Sequence, residues 1–186
     1  MNEQEISLSD RDELAFVEDH DDLNETLDQG IKYLTFFVNG EVYGSEIDRI
    51  KEIIEYGSIT RVPLTPSYLR GVINLRGNVV PVVDLSIRLG KTSNTVSKRT
   101  CIIIVEMKAS DGEVMEIGFV VDEVDEVLDI NDDQVAAPPQ FGTDIRADFI
   151  TGMGKIAEKF VVLLQLEEVL SVTELADLVE AEGNKY

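Results

Sequence analysis

The sequence predicts an all-β fold with short helices: two small five-stranded, SH3-like β-barrels that share a core, followed by a C-terminal helix. Three observations predict it. Short runs rich in β-branched and aromatic residues alternate with turn residues over most of the 186-residue chain, as strands do. Two of the runs meet at an Asn-Gly pair, and two others at a loop holding Asp-Gly, the strongest local signals of hairpins. The pattern then repeats. Gly44, Asp48 and Glu52 recur as Gly118, Asp122 and Glu126 at an offset of 74, with four aliphatic positions matching alongside them. Gly71 and residues 79–85 recur as Gly152 and residues 160–166 at an offset of 81. The chain reads as a duplicated unit of about 75 residues, and such repeats bear on the fold before any single motif does.

In chain order, residues 1–30 come first. They hold eleven Asp or Glu against one Arg, a charge of −10 that leaves −11 of the total −21 for the other 156 residues. Such charge with scattered apolar residues predicts a solvated, disordered arm; an acidic arm that docks on a basic partner is the alternative. The texture changes at Ile31. Residues 33–38, Asn39-Gly40 and residues 41–43 form the first hairpin signal. Residues 101–107, a loop with Asp111-Gly112 and residues 114–121 form the second. The body spans 31–170, with lobes over roughly 31–90 and 98–166, and 171–186 make a helix and tail.

The first unit offers strands near 31–38, 41–47, 50–56, 71–75 and 79–85, and the second near 100–107, 114–121, 124–130, 149–156 and 159–166. Five short antiparallel strands with tight turns suit a closed barrel, because closure removes exposed edges. Ile47, Ile50, Ile53 and Ile54 recur at helical spacing, as do Val121, Val124, Val127 and Leu128. Their β-branched enrichment and the preceding Gly44 and Gly118 favour a bend followed by a strand. Residues 66–70 predict one helical turn, opened by Pro66 and stopped at Gly71. Residues 173–180 predict an amphipathic helix. Ser171 and Glu174 stand at capping-box spacing, and Leu175, Leu178 and Val179 form the apolar stripe. Packing of that stripe on a barrel and binding in a partner's groove both fit.

Composition excludes several functions. A surface this negative repels phosphate backbones, so nucleic acid is not an expected partner. No apolar run approaches the roughly 20 residues a membrane-spanning helix needs, and the acidic N-terminus lacks the basic start of a signal peptide. A cytoplasmic protein with no direct membrane insertion is expected. Cys101 is the only cysteine, so no intrachain disulfide forms, and its apolar run 101–105 marks a buried strand residue. His20, the only histidine, lies in the arm, which argues against Ser-His-Asp or Cys-His catalysis and against a zinc site. Residues 129–133 lack EF-hand spacing, and residues 152–155 are too short for a phosphate loop. The expectation is no enzyme, no metal and no cofactor.

The most informative segment runs from Arg70 to Leu85, with Arg70-Gly71 and Arg76-Gly77 six residues apart. Gly71 lets the chain leave its turn with positive φ, and Gly77-Asn78 allow a tight turn between strands. Arg70 and Arg76 are cations beside rigid turns on an acidic chain. Arginine suits protein interfaces because its fork pairs carboxylates in two-pronged fashion, although balancing local acids explains both equally well.

Residues 71–77 followed by 81–85 resemble the signature of the CheW family, the adaptors of bacterial chemosensory arrays. The resemblance extends from about Lys32 to Leu170 and includes residues 36–38 and 42–44 of the first hairpin, residues 59–63, and residues 150–155 in the second unit. It implies two five-stranded barrels and a non-catalytic, cofactor-free scaffold. Such a scaffold joins methyl-accepting chemotaxis receptors to the regulatory domain of a CheA-type histidine kinase and is recruited to membrane-bound arrays. It also implies a receptor-binding set matching Ile50, Glu52, Arg70, Gly71, Arg76 and Gly77, since the motif aligns without gaps between Ile50 and Gly77. A receptor tip is a helical hairpin, and a groove for it needs apolar residues with charges at the rim. The kinase-binding residues are not assigned beyond the strand ends of a barrel. The long arm and the acidic body depart from the family pattern and leave room for a CheW-like adaptor of a non-chemotaxis chemosensory pathway. The chain is too short for a kinase core and shows no receiver domain after Leu170, which favours a stand-alone adaptor. A small-ligand or oligonucleotide-binding β-barrel is the alternative of another class; it would need a basic face studded with aromatic residues.

Overall fold

The computed structural model describes residues 30–93, 95–109, 111–138 and 147–183. The expected acidic arm and His20 lie outside them. Eleven strands form in the order β1 (Ile31–Val38), β2 (Glu41–Glu46), β3 (Ile50–Glu55), β4 (Leu69–Leu75), β5 (Asn78–Asp84), β6 (Cys101–Lys108), β7 (Val114–Val121), β8 (Glu123–Ile130), β9 (Val135–Ala136), β10 (Ile150–Ile156) and β11 (Lys159–Leu164). Among the described residues, two α-helices, α1 (Leu85–Arg88) and α2 (Val172–Gly183), accompany them. Of the two segments with helical spacing, the first makes a 3-10 helical turn at Ile47–Arg49 before β3, and the second passes through a bend at Asp122 into β8.

Two sheets result, a six-stranded one ordered β8-β1-β2-β11-β10-β9 and a five-stranded one ordered β3-β6-β7-β5-β4. The two sequence halves expected as separate lobes each contribute to both sheets. The first hairpin, β1–β2, sits among strands of the second half, and the second hairpin, β6–β7, sits among strands of the first. The exchange obeys the repeat. Gly44 pairs with Leu163 across the parallel β2–β11 contact, and Gly118 pairs with Val82 across the parallel β7–β5 contact. Those are the same pair of positions under the offsets of 74 and 81. A Cβ at either glycine would crowd a neighbouring strand, more severely at Gly118. A Cβ on Gly118 would lie 2.6 Å from Ile102, and one on Gly44 would lie 3.1 Å from Leu163.

Three apolar clusters follow from two-sided burial. Ile103 and Val105 of β6, Phe119 of β7, Phe36 of β1 and Val83 of β5 face a core shared by both sheets. Their neighbours one residue away, Ile102, Ile104, Val120 and Val82, together with Val80, fill the other face of the five-stranded sheet. Tyr33, Ile130, Val161 and Leu163 fill that of the six-stranded sheet. Strands buried on both faces read as continuous apolar runs, which is the texture of residues 101–105. The five-stranded sheet curls until the chain beyond β3 returns to β4: Thr60 and Val72 exchange backbone hydrogen bonds of 2.9 and 2.8 Å.

Residues 66–70 do not make the expected helical turn. The Leu69 N–H donates to the Pro66 carbonyl at 3.0 Å, and Leu69 already opens β4. Pairing of β4 with β5 on one side and Thr60 on the other claims the backbone that a helix would need. Cys101 opens β6 half-buried, with its thiol pushed up in pKa by burial.

The C-terminal helix forms with its capping box. The Ser171 N–H donates to Glu174 Oε2 at 2.7 Å, and the Glu174 N–H to Ser171 Oγ at 3.2 Å. Leu175 and Leu178 enter the shared core, so this face packs on the body; the side chain of Val179 lies outside the described residues. Arg88 of α1 holds the helix start by a 2.8 Å contact with Glu174 and a 2.6 Å hydrogen bond to the Val169 carbonyl. Burial pushes the Glu174 carboxyl up, but Ser171 and Arg88 outweigh it and hold it below the ordinary carboxylate range. A lowered folded pKa gives stability that is present above the unfolded value of about 4.3 and lost as pH falls through the folded one. Amide exchange in α2, corrected for intrinsic rates, should therefore accelerate as pH falls below about 4.3, and Glu174→Gln should remove most of that dependence.

Candidate functional site

The resemblance directs attention to β3, β4 and the turn into β5. Arg76 and Gly77 both take positive φ, 53° and 87°, which makes the β4–β5 connection a two-residue hairpin turn of the primed type. The Gly77 N–H donates to Asn74 Oδ1 at 2.9 Å and fixes the turn. From it Arg76 reaches across the barrel mouth to β3, where its Nη2 lies 2.6 Å from Glu52 Oε2. The Arg76 side chain is 71% exposed while Glu52 is half-buried. The second oxygen of Glu52, Oε1, is covered and has no hydrogen-bond partner. Ile50, two residues earlier on β3, is half-buried and packs against the shared core, and the exposed Ile53 lies on that same face of β3, opposite to Glu52. One end of the curled sheet thus carries an exposed cation, a shielded carboxylate and apolar side chains.

Arg70 and Gly71 stand elsewhere. They are at the start of β4, about 20 Å from Arg76 at roughly 3.3 Å per strand residue. Gly71 has φ 147°, and a Cβ there would lie 2.2 Å from the Thr60 carbonyl oxygen. Arg70 is mostly enclosed. Its Nε donates to Asp84 Oδ2 at 3.0 Å, Nη1 to the Tyr56 hydroxyl at 3.1 Å and Nη2 to Ser93 Oγ at 2.8 Å. Its guanidinium also lies 5.7 Å from the centre of the Tyr56 ring. Asp84 is buried, accepts a further 2.6 Å hydrogen bond from the Ser93 hydroxyl, and caps α1 by accepting from the Ile87 N–H at 3.3 Å. The network forms one wall of a cavity of about 680 Å³ whose opposite wall is the loop of Arg61, Val62 and Thr65. The six residues of the implied set therefore fall into two groups, one at each end of β4.

Sequence reasoning did not single out Tyr56, Asp84 and Ser93. Asp84 left a usable signal: a lone acid closing the apolar run 79–83, at the position where a helix cap belongs. Tyr56 and Ser93 left none, because they reach Arg70 through tertiary folding alone.

The relatives of the chain agree with this architecture. Residues 32–174 match the family model described as CheW-like domain. The chain is 32% identical over 147 residues to the chemotaxis protein CheW of Klebsiella aerogenes, covering 79% of this chain and 86% of that one. It is 35% identical over 111 residues to the chemotaxis protein CheW of Bacillus subtilis, covering 60% and 68%. Among solved structures, the scaffolding protein TtCheW from Thermoanaerobacter tengcongensis superposes with a TM-score of 0.68 at 34% identity, over 78% of this chain and 90% of that one. By its matched domain and its fold, this chain belongs to the CheW-like domain family of chemotaxis scaffold proteins.

Proposed function

We propose that this protein couples methyl-accepting receptors to the regulatory domain of a CheA-type histidine kinase in a membrane-bound array, and does so by binding alone. The observation that carries the receptor half of this reading is the Arg76–Glu52 contact across the barrel mouth. A rigid turn presents an exposed guanidinium over a carboxylate whose second oxygen is unpaired. A receptor helix that draws Arg76 aside gains a charged partner for its own acids and opens Glu52 to its donors. Ile50 and Ile53 supply apolar contact from the other face of the edge strand β3, and apolar groups with charges are the mixture that a helix-binding surface needs. In this reading Arg70 and Gly71 hold β4 in shape, and the arginine that meets the receptor is Arg76. No described helix is long and apolar enough to cross a membrane, which fits recruitment by receptors. The kinase is read as binding at another face, since the coupling role requires both partners at once.

Arg76→Glu tests the assignment. The lost surface ion pair is worth about 0–1 kcal/mol, so the melting temperature should stay within about 4 °C of the wild type. Affinity for a soluble receptor-tip hairpin should fall at least about tenfold, the effect of roughly 1.4 kcal/mol, while affinity for the kinase domain stays unchanged. Unfolding of the variant would make Arg76 structural and end its assignment to the receptor surface.

A further inference from the structure

The cavity between the start of β4 and the loop of residues 61–67 holds about 680 Å³, inside the range of roughly 300–1,000 Å³ that small-molecule sites occupy. Both of its walls are fixed by the fold. On one side Arg70 ties β4 to Asp84 at the end of β5. On the other the Thr65 hydroxyl donates to the Val62 carbonyl at 2.8 Å, and the paired Thr60 anchors the loop to β4. Leu64 takes φ +60° with its side chain fully exposed, so the apolar residue at the centre of the loop does not fill the cavity. Surroundings that hold a bulky residue in this left-handed conformation also hold the shape of the loop.

The lining has donors to spare and no free acid. Asp84 is the only acidic residue in it. Its Oδ1 accepts from the Ile87 N–H, and its Oδ2 accepts from Arg70 and from the Ser93 hydroxyl. Three donors remain on the segment of residues 56–67. The Tyr56 hydroxyl accepts from Arg70 and donates to none of the described residues. The Ser67 hydroxyl and the exposed Arg61 guanidinium have no partner among the described residues. Arg61 and Arg70 against Asp84 leave the cavity with one net positive charge, on a chain whose net charge is −21. Ile59, Leu69 and Ile87 add an apolar lining.

We propose that this cavity binds a small molecule carrying a phosphate group, which accepts hydrogen bonds from Arg61, Tyr56 and Ser67 while the carbon skeleton lies on Ile59, Leu69 and Ile87. A phosphate monoester has three terminal oxygens, one for each donor, and the arginine fork suits one edge of it. A carboxylate has two oxygens and leaves a donor short. Salt screens the repulsion from the distant acids of the chain, so the cations close at hand decide the binding. The cavity lies at the opposite end of β4 from the Arg76–Glu52 contact, and the proposal does not rest on the receptor reading.

An NMR titration of the isotope-labelled full-length protein with glycerol phosphate, at an ionic strength held constant with sodium chloride, tests this. The expected result is saturable shifts, largest at the amides of residues 56–67 and 84–93, with a dissociation constant of about 1 mM, as suits a ligand of few atoms. Inorganic phosphate should move the same amides with weaker affinity, and succinate should bind more weakly than either. Arg61→Ala should weaken glycerol phosphate at least about tenfold, the loss of a charge-assisted hydrogen bond, and Ser67→Ala about fivefold. Both side chains belong to exposed residues, so neither variant should lower the melting temperature. Shifts that do not saturate by about 20 mM, affinity unchanged in Arg61→Ala, or succinate binding as tightly as glycerol phosphate would each overturn the proposal.

Discussion

Gly71→Ala should destabilise the protein by about 2–5 kcal/mol, combining about 1–2 kcal/mol for the backbone conformation with about 1–3 kcal/mol for overpacking. The methyl group would lie 2.2 Å from the Thr60 carbonyl oxygen and 2.7 Å from Ile59. The first contact is with backbone, which cannot swing away. It is also the oxygen that accepts from the Val72 N–H at 2.8 Å. Relieving the clash therefore opens the isolated bridge that ties the segment beyond β3 to β4. Urea denaturation should show a lower midpoint, and a change in slope would report a loosened native state. Gly77→Ala offers the contrast, since a Cβ there meets nothing within 4 Å. It should cost only the turn's positive φ, about 1 kcal/mol. Equal losses in the two variants would show that the close approach at Gly71 is not what matters.

Asp84→Ala should cost about 3–5 kcal/mol, the usual consequence of removing one partner from a buried ion pair. Asp84 is buried and pairs with Arg70, whose side chain is 17% exposed. Its loss takes the Asp84 carboxylate away from the enclosed Arg70 charge, and it uncaps α1. At about 2–4 °C per kcal/mol for a domain of this size, the melting temperature should fall by roughly 10 °C. The double variant Arg70→Ala/Asp84→Ala should be less destabilised than the sum of the singles, because the stranded charge is gone. Strict additivity would mean that the two side chains contribute independently, against the geometry of the network. Folded Arg70→Lys should also retain receptor binding, since Arg70 acts here through β4.

Much of this fold is legible in the sequence, and the limits are physical. The Asn39-Gly40 hairpin is readable because its turn needs positive φ at both central residues, and they have it, 52° and 79°. The repeat is readable because the same pairing recurs: Gly44 opposite Leu163, Gly118 opposite Val82. What the repeat does not encode is which hairpin packs with which half. The parallel contacts β2–β11 and β5–β7 join residues far apart in sequence, and the apolar pattern of either hairpin is satisfied in either sheet. Residues 66–70 carry helix-start chemistry that tertiary pairing overrides. The two arginines show the same limit at the site. Arg70-Gly71 and Arg76-Gly77 look equivalent in sequence. One guanidinium is drawn inward by an acid, a tyrosine and a serine from three other segments, and the other is left on a turn.

The central claim, that this CheW-family chain is a coupling scaffold, is tested most directly by calorimetric titration of the full-length protein into the regulatory domain of the CheA-type kinase from the same source. The account predicts saturable one-to-one binding with a micromolar constant, about −8 kcal/mol, undiminished in the Arg76→Glu variant. A folded protein that gives no heat with that domain at any reachable concentration would contradict the kinase half of the account.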